Sequence, residues 1–380
     1  MPGLTPPLTF PRNSPPCPGG FWRTRSGKGR KRNNECSKAP YFADHHRRAA
    51  PGYHFRPPQA LFAARAGTSD NRDFGYAEGA GLNALRVFTS YEYWIENGQV
   101  FFERFEALVA AADRHKIRVM PVLFEDCGVE NTPENRHSRD PEKAVCVRSP
   151  GAEIEQNPSE WWKVEQYIRE FFNRYKDDQR ILAIEIMNEP HWQRGNLEFA
   201  KYIAKFAAKQ KGIIPLTMGC MFIQDNLCFS EEIDIYQFHH NFPSSEEEIE
   251  NLLQLVKAIQ ENAQKPCWLT EWQRIRRSGP GWNQAEIPEE EKTPQLHSLA
   301  AIVESSGLGN FFWCLMVKPA YLPAQRLNGT FNGLFHEDGS VYSKEDYLAI
   351  AHGTNIPREN AVMPQWFLKD RSHQARSKQR

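Results

Sequence analysis

From Asp73 onward, apolar runs of strand length alternate with stretches whose apolar residues recur at helical spacing, and this alternation limits the fold more than any other feature of the chain. The spacing predicts strands over 82–88, 117–124, 181–187, 213–218, 233–238, 266–270 and 310–317. Between them, Phe101, Phe105, Leu108, Val109 and Ala112 mark one amphipathic helix, and Trp162, Val164, Tyr167, Ile168, Phe171 and Phe172 another. Ser244 with Glu247 reads as a capping box, and Thr293 followed by Pro294 as an N-cap with a first-turn proline. Alternating strands and helices imply an α/β fold with a parallel sheet, and near-continuous apolar strands imply burial on both faces. A (β/α)8 TIM barrel fits best. A doubly wound open sheet needs a Gly-rich first turn opening a helix, whereas Gly307-Leu308-Gly309 precedes a strand.

Charge divides the chain further. Lys plus Arg and Asp plus Glu number 47 each among 380 residues, a balance that gives no reason to expect nucleic acid or an anionic membrane as partner. Residues 1–67 nevertheless hold 12 basic and 2 acidic residues with 11 of the 27 prolines, and 357–380 hold 6 and 2, leaving 29 basic against 43 acidic in 68–356. This predicts a basic, Pro-rich, disordered head (1–67), a barrel domain (68–356) and a basic tail (357–380). The head shows no apolar stretch of signal-peptide type, and no apolar run reaches the roughly 18 residues that span a bilayer. The eight cysteines lack any C-x-x-C spacing, which argues against a zinc ribbon or disulfide scaffold; Cys127 and Cys146 fall in one long loop where they could pair.

Each predicted strand ends in polar residues, as the catalytic face of a barrel requires: Arg86; Glu125 and Asp126; Asn188 and Glu189; His239 and His240; Glu271 and Trp272; Trp313 and then Lys318. Two of these ends stand out. Ile184-Glu185-Ile186-Met187-Asn188-Glu189-Pro190 is a strand running into an Asn-Glu-Pro turn, and Cys267-Trp268-Leu269-Thr270-Glu271-Trp272 ends in a carboxylate beside an aromatic. With strands in sequence order, Glu189 and Glu271 lie three strands apart and face each other across the mouth, and two opposed carboxylates are what glycosidic cleavage needs. Glu185, on the same strand as Glu189, reads as a buried partner of Arg86. The His239–His240 pair lacks a His-Glu-x-x-His motif or carboxylate triad, so no metal is expected, and two carboxylates with water need no cofactor.

These motifs resemble the retaining glycoside hydrolases of the (β/α)8 clan, in particular the cellulase-like family 5. The resemblance covers about Asp73 to Ile350 and extends to Asn83-Ala84-Leu85-Arg86-Val87, Phe238-His239, Arg148-Ser149-Pro150-Gly151 and Val122-Leu123-Phe124. It implies a retaining β-glycosidase in which Glu189 is the acid/base and Glu271 the nucleophile, acting on an oligosaccharide, polysaccharide or small β-glycoside. Arg86 would keep Glu271 charged, Asn188 would bond the sugar 2-hydroxyl, and His239 would orient the site. Trp313 would stack on the sugar, with Trp272, Trp192, Tyr91, Tyr93, Trp94 and Trp282 lining further subsites, while Trp161, Trp162 and Trp268 read as packing residues. Proximity of the second carboxylate is expected to raise the Glu189 pKa. The segment Asp126 to Pro158 would shape the cleft. The family would be secreted or periplasmic, although no signal peptide is legible here.

Against the family pattern, the first strand and most of its helix are not legible, and the Pro/Arg-rich head stands in their place. Either a head segment such as Tyr53-His54-Phe55 fills the gap or two sheet edges stay open. Two other readings therefore stand beside the active enzyme: a carbohydrate-binding pseudoenzyme with a distorted barrel, and an interaction protein working through its basic ends.

Overall fold

The computed structural model describes residues 59–60, 68–137, 146–190, 196–282, 284, 286–317 and 328–363. Eight parallel strands form one sheet in the order β1 to β8: β1 (Gln59–Ala60), β2 (Ala84–Phe88), β3 (Arg118–Glu125), β4 (Ile184–Asn188), β5 (Leu216–Gly219), β6 (Ile235–His240), β7 (Cys267–Trp272) and β8 (Gly309–Phe312). Every neighbour pairs parallel to the next, the register an α/β barrel requires. All seven strands predicted from apolar periodicity are present. The first position is held by two residues only, Gln59 and Ala60 against Arg86 and Val87; Tyr53-His54-Phe55 lies outside the described residues, as do nearly all of the basic head and much of the tail. Among the described residues no pairing links β8 to β1.

Helices fill the crossovers, at Thr68–Gly79, Tyr91–Arg114, Trp162–Tyr175, Leu197–Gln210, Glu246–Ala263, His297–Ser305 and Lys344–Ile350; after β5 a seven-residue 3-10 helix, Ile223–Phe229, stands in this role. None of the described helices is long and apolar enough to cross a membrane. Within Tyr91–Arg114 the backbone breaks at Asn97, whose side chain caps the following turn by accepting from the Val100 N–H at 3.1 Å. The capping box is displaced by one residue from expectation: Ser245 accepts from the Glu248 N–H, and the Glu248 carboxylate reaches back to the Ser244 N–H at 2.8 Å. Thr293-Pro294 likewise precedes its helix, which starts at His297.

The main core lies between strands and helices. Leu85, Val87, Ile184, Ile186, Tyr236, Phe238 and Leu269 point out to meet Phe105, Val109, Ile168, Phe171, Phe199, Ile203 and Val256. Inside the barrel a separate apolar layer of Ala84, Met120, Leu182, Ala183, Ile235 and Phe311 closes the end where the strands begin. Above it the interior turns polar, with Arg86, Glu185, Thr217 and Gln237 all fully buried. Charge therefore concentrates towards the carboxyl ends of the strands.

Two bulges aim the side chains at the mouth. Glu185 pairs with Thr217 and Asn188 with Gly219, so β4 carries one residue more than β5. Phe238 pairs with Leu269 but His239 with Glu271, so β7 carries one more than β6. Strict alternation would send Glu271 to the same outer face as Cys267 and Leu269; the extra residue turns it inward instead.

Candidate active site

The turn after β4 carries Glu189 in a left-handed conformation (φ 42°), rare for a glutamate, held by its N–H bonding the Gly219 carbonyl at 2.7 Å. Pro190, which follows, further disfavours helical backbone at this residue. Its side chain, 15% exposed, meets three elements. Oε1 lies 2.6 Å from His239 Nδ1 on β6, and Oε2 accepts from the Cys127 thiol at 2.8 Å. Glu271, at the end of β7 and 11% exposed, places Oε2 3.7 Å from the same His239 nitrogen. The three groups have ligand-type atoms within 4.8 Å of one another.

Arg86 anchors the arrangement from β2. Fully buried, it donates from Nε to Glu185 Oε2 at 2.6 Å, from Nη1 to Glu271 Oε1 at 2.7 Å and from Nη2 to Asn188 Oδ1 at 2.5 Å, with a further Nη2 contact to Glu185 Oε1. Burial alone would weaken the guanidinium charge, but Glu185 and Glu271 outweigh it and its pKa is raised. Glu185 thus neutralises part of Arg86, which in turn steadies Glu271. The second Glu271 oxygen accepts from Asn241 Nδ2 at 3.1 Å, and Gln273 Nε2 fixes Asn241 at 3.0 Å.

The electrostatics of Glu189 depart from expectation. Burial pushes its pKa up, yet the His239 bond and charge, the Cys127 thiol and Arg86 together bring it below the ordinary 4.5. Burial likewise opposes charge on His239, but Glu271 and Glu189 overcome it and raise its pKa above 6.5. The shifts of the two partners run in opposite directions, as a hydrogen-bonded carboxylate and imidazole require. The carboxyl whose pKa burial does raise is Glu125, at the end of β3. Its pKa lies well above 4.5 although Asn188 Nδ2 (2.9 and 3.1 Å) and the Cys127 N–H (2.7 Å) bond it.

Of the residues singled out in sequence, Glu189, Glu271, Arg86, Asn188 and His239 converge here. Asn188 is 3% exposed with both ends of its amide engaged, by Arg86 and Glu125. Trp313, half-buried just past β8, stands edge-on to Phe88 at 6.4 Å and is joined through its N–H to the Trp272 carbonyl. Trp272 itself is a correction. The bulge that turns Glu271 inward turns Trp272 out into the helix layer, where it is 1% exposed, bonds Asn310 and packs against Phe312, leaving no face for a sugar. Tyr91 is buried at 2%, and Trp94 packs between Tyr91 and Tyr167. Tyr93 is tied to the Arg136 carbonyl. Trp282 packs at a tilt on Phe242. Trp192 and Lys318 lie outside the described residues. Trp162, expected to pack, is 64% exposed.

Sequence reasoning missed two contributors. Cys127 was weighed only as a partner for Cys146; both are free thiols. Asn241 lies one residue beyond the histidine pair and had no motif of its own. His240 turns away to Glu248 at 3.2 Å.

Residues 63–211 match the model of the family described as Cellulase (glycosyl hydrolase family 5). No curated protein matches the chain. Among solved structures, a glycoside hydrolase family 5 mannosidase from Rhizomucor miehei is 13% identical with a TM-score of 0.51, covering 86% of this chain and 94% of its own. The GH5_18 structure from Streptomyces cattleya, in complex with GlcNAc, is 14% identical with a TM-score of 0.51, covering 84% and 87%. A GH2 β-galacturonidase from Eisenbergiella tayi is 16% identical with a TM-score of 0.51, covering 77% of this chain and 49% of its own. At such identities these structures speak for the barrel alone; the likeness to family 5 rests on the sequence match over residues 63–211. The match over residues 63–211 and the TIM-barrel fold bear out the resemblance to the cellulase-like family 5 of glycoside hydrolases.

Proposed function

We propose that the protein is a retaining β-glycoside hydrolase in which Glu271 is the nucleophile and Glu189 the acid/base. One observation carries the reading: carboxylate oxygens of Glu189 and Glu271 approach within 4.8 Å around one histidine nitrogen. Retaining enzymes hold their carboxyl groups about 5–5.5 Å apart, whereas inverting ones leave about 6.5–9.5 Å for a water.

Glu271 attacks the anomeric carbon as the bond to the leaving oxygen breaks, and Glu189 passes a proton to that oxygen. Arg86 and Asn241 each hold one oxygen of Glu271, which fixes its orientation for attack. The proton comes from the Glu189–His239 pair: a glycosidic oxygen entering beside Glu189 draws it from imidazole through the carboxyl. Water then releases the glycosyl-enzyme, its proton returning to the pair. Asn188, oriented by Arg86 and Glu125, turns an N–H to the 2-hydroxyl, and Trp313 offers the apolar platform for the pyranose ring. The substrate is an oligosaccharide, a polysaccharide or a small β-glycoside. The close carboxylate pair favours this reading over a sugar-binding protein without activity.

Aryl β-glycosides of several sugars, offered to the parent protein and to Glu189→Ala and Glu271→Ala, test the roles. The parent should release aglycone, and loss of Glu189 should slow hydrolysis by about 100- to 10,000-fold. Azide should then give a β-glycosyl azide with Glu189→Ala and an α-glycosyl azide with Glu271→Ala. Release of aglycone that survives intact in Glu271→Ala would refute the assignment.

A further inference from the structure

The same cluster has the donor set of a metal centre. Glu189 Oε1 lies 2.6 Å and Glu271 Oε2 3.7 Å from His239 Nδ1, and the three donors fit within 4.8 Å. Tetrahedral zinc, with bonds of about 2.0–2.2 Å to nitrogen and oxygen, needs ligand atoms roughly 3.3–3.5 Å apart. Small side-chain shifts suffice. Arg86 and Asn188 do not obstruct it, because Arg86 occupies the other oxygen of Glu271, and Asn241 is the neighbour that must yield at Oε2.

The imidazole among the donors points to a borderline-soft cation rather than to a hard one: imidazole suits zinc-class ions, whereas magnesium and calcium prefer all-oxygen sites.

We propose that Glu189, His239 and Glu271 bind a zinc-class divalent cation between His239 Nδ1 and the facing oxygens of the two carboxylates, and that this cation blocks hydrolysis. The binding claim stands on geometry alone; the blocking claim rests on the reading of Glu189 and Glu271 as the catalytic pair. Binding exchanges one cation for the imidazole proton: the Nδ1–H leaves to solvent, and its lone pair joins an oxygen from each glutamate on the metal. Both carboxylates are then committed, so neither can attack or deliver a proton.

Calorimetric titration of the EDTA-treated, dialysed full chain with ZnCl2 at pH 7.5, in a non-chelating buffer, tests binding without any substrate. Expected are one tight equivalent, proton release that follows buffer ionisation enthalpy, and binding at least about 100-fold weaker in His239→Ala and in Glu271→Gln. MgCl2 should give no comparable isotherm. Circular dichroism checks that each variant is folded. Absence of a tight equivalent, or one unchanged in folded His239→Ala, overturns the site. With any aryl glycoside that the parent cleaves, stoichiometric zinc should abolish release and EDTA restore it. Zinc bound at His239 with hydrolysis undiminished would overturn the blocking claim, and failure of every glycoside would count against the enzymatic reading while leaving the binding result intact.

Discussion

Replacing Arg86 with Met separates what the buried charges contribute to stability from what they contribute to the site. Arg86 is fully buried and its guanidinium meets Glu185, Glu271 and Asn188 at once. Removing it leaves Glu185, itself fully buried, without its counter-charge, and breaking such a pair costs about 3–5 kcal/mol. At about 2 °C per kcal/mol, the low end for larger domains, melting should fall by about 6–10 °C. Removing both charges avoids most of this cost, because an apolar pair of similar volume strands no ion. Urea-unfolding midpoints of the parent, Arg86→Met, Glu185→Leu and the double variant form a cycle in which the double should regain at least half of the Arg86→Met loss. Hydrolysis should stay lost in both proteins lacking Arg86, since Glu271 no longer has its 2.7 Å bond. Additive losses in the cycle would refute the account of Arg86 and Glu185 as a coupled buried pair.

Other perturbations follow from the same geometry. In Gly219→Ala the new Cβ would meet Glu185 Oε1 at 2.2 Å and the Asn188 Cα at 3.1 Å, so about 1–3 kcal/mol of stability and most of the activity should go; an unchanged urea midpoint would contradict the packing described. His239 has a raised pKa, so its stabilising charge is complete below 6.5 and lost as pH climbs through the folded value. Glu189 has a lowered one, so its contribution is complete above 4.5 and lost as pH falls through the folded value. The stability difference between parent and His239→Ala should therefore peak between about 4.5 and 6.5, and unfolding curves giving a flat difference across pH 3–9 would contradict the ion pair. Trp162→Ser, at a 64% exposed position, should shift stability by no more than about 0.5 kcal/mol in the same assay.

Apolar periodicity made seven of the eight strands legible, because strands buried on both faces leave continuous apolar runs. The eighth was not, since Gln59 and Ala60 are too few to carry a period. The barrel rule that polar residues gather at strand ends led to Glu189, Glu271, Arg86, Asn188 and His239. It failed at Trp272 because a register shift between β6 and β7 is decided by neighbouring strands, and that one extra residue exchanges which side of the sheet each side chain faces. The lowered Glu189 pKa was hidden for a related reason. It depends on which nitrogen of His239 faces which oxygen, and on a thiol delivered by the loop after β3, contacts that only the folded chain brings together. The capping box slipped by one residue because Ser244 and Ser245 are adjacent and either could cap; the fold selects Ser245.

The central claim is that Glu271 forms a bond to sugar. Incubation with 2-deoxy-2-fluoro β-glycosides carrying a good leaving group slows both steps and traps the intermediate, and intact-mass measurement with peptide mapping locates it. The account predicts a gain of one fluoroglycosyl unit on the peptide containing Glu271, absent in Glu271→Gln. A label on another carboxylate, or turnover of the matching aryl glycoside with inversion at the anomeric carbon and no label, would contradict it.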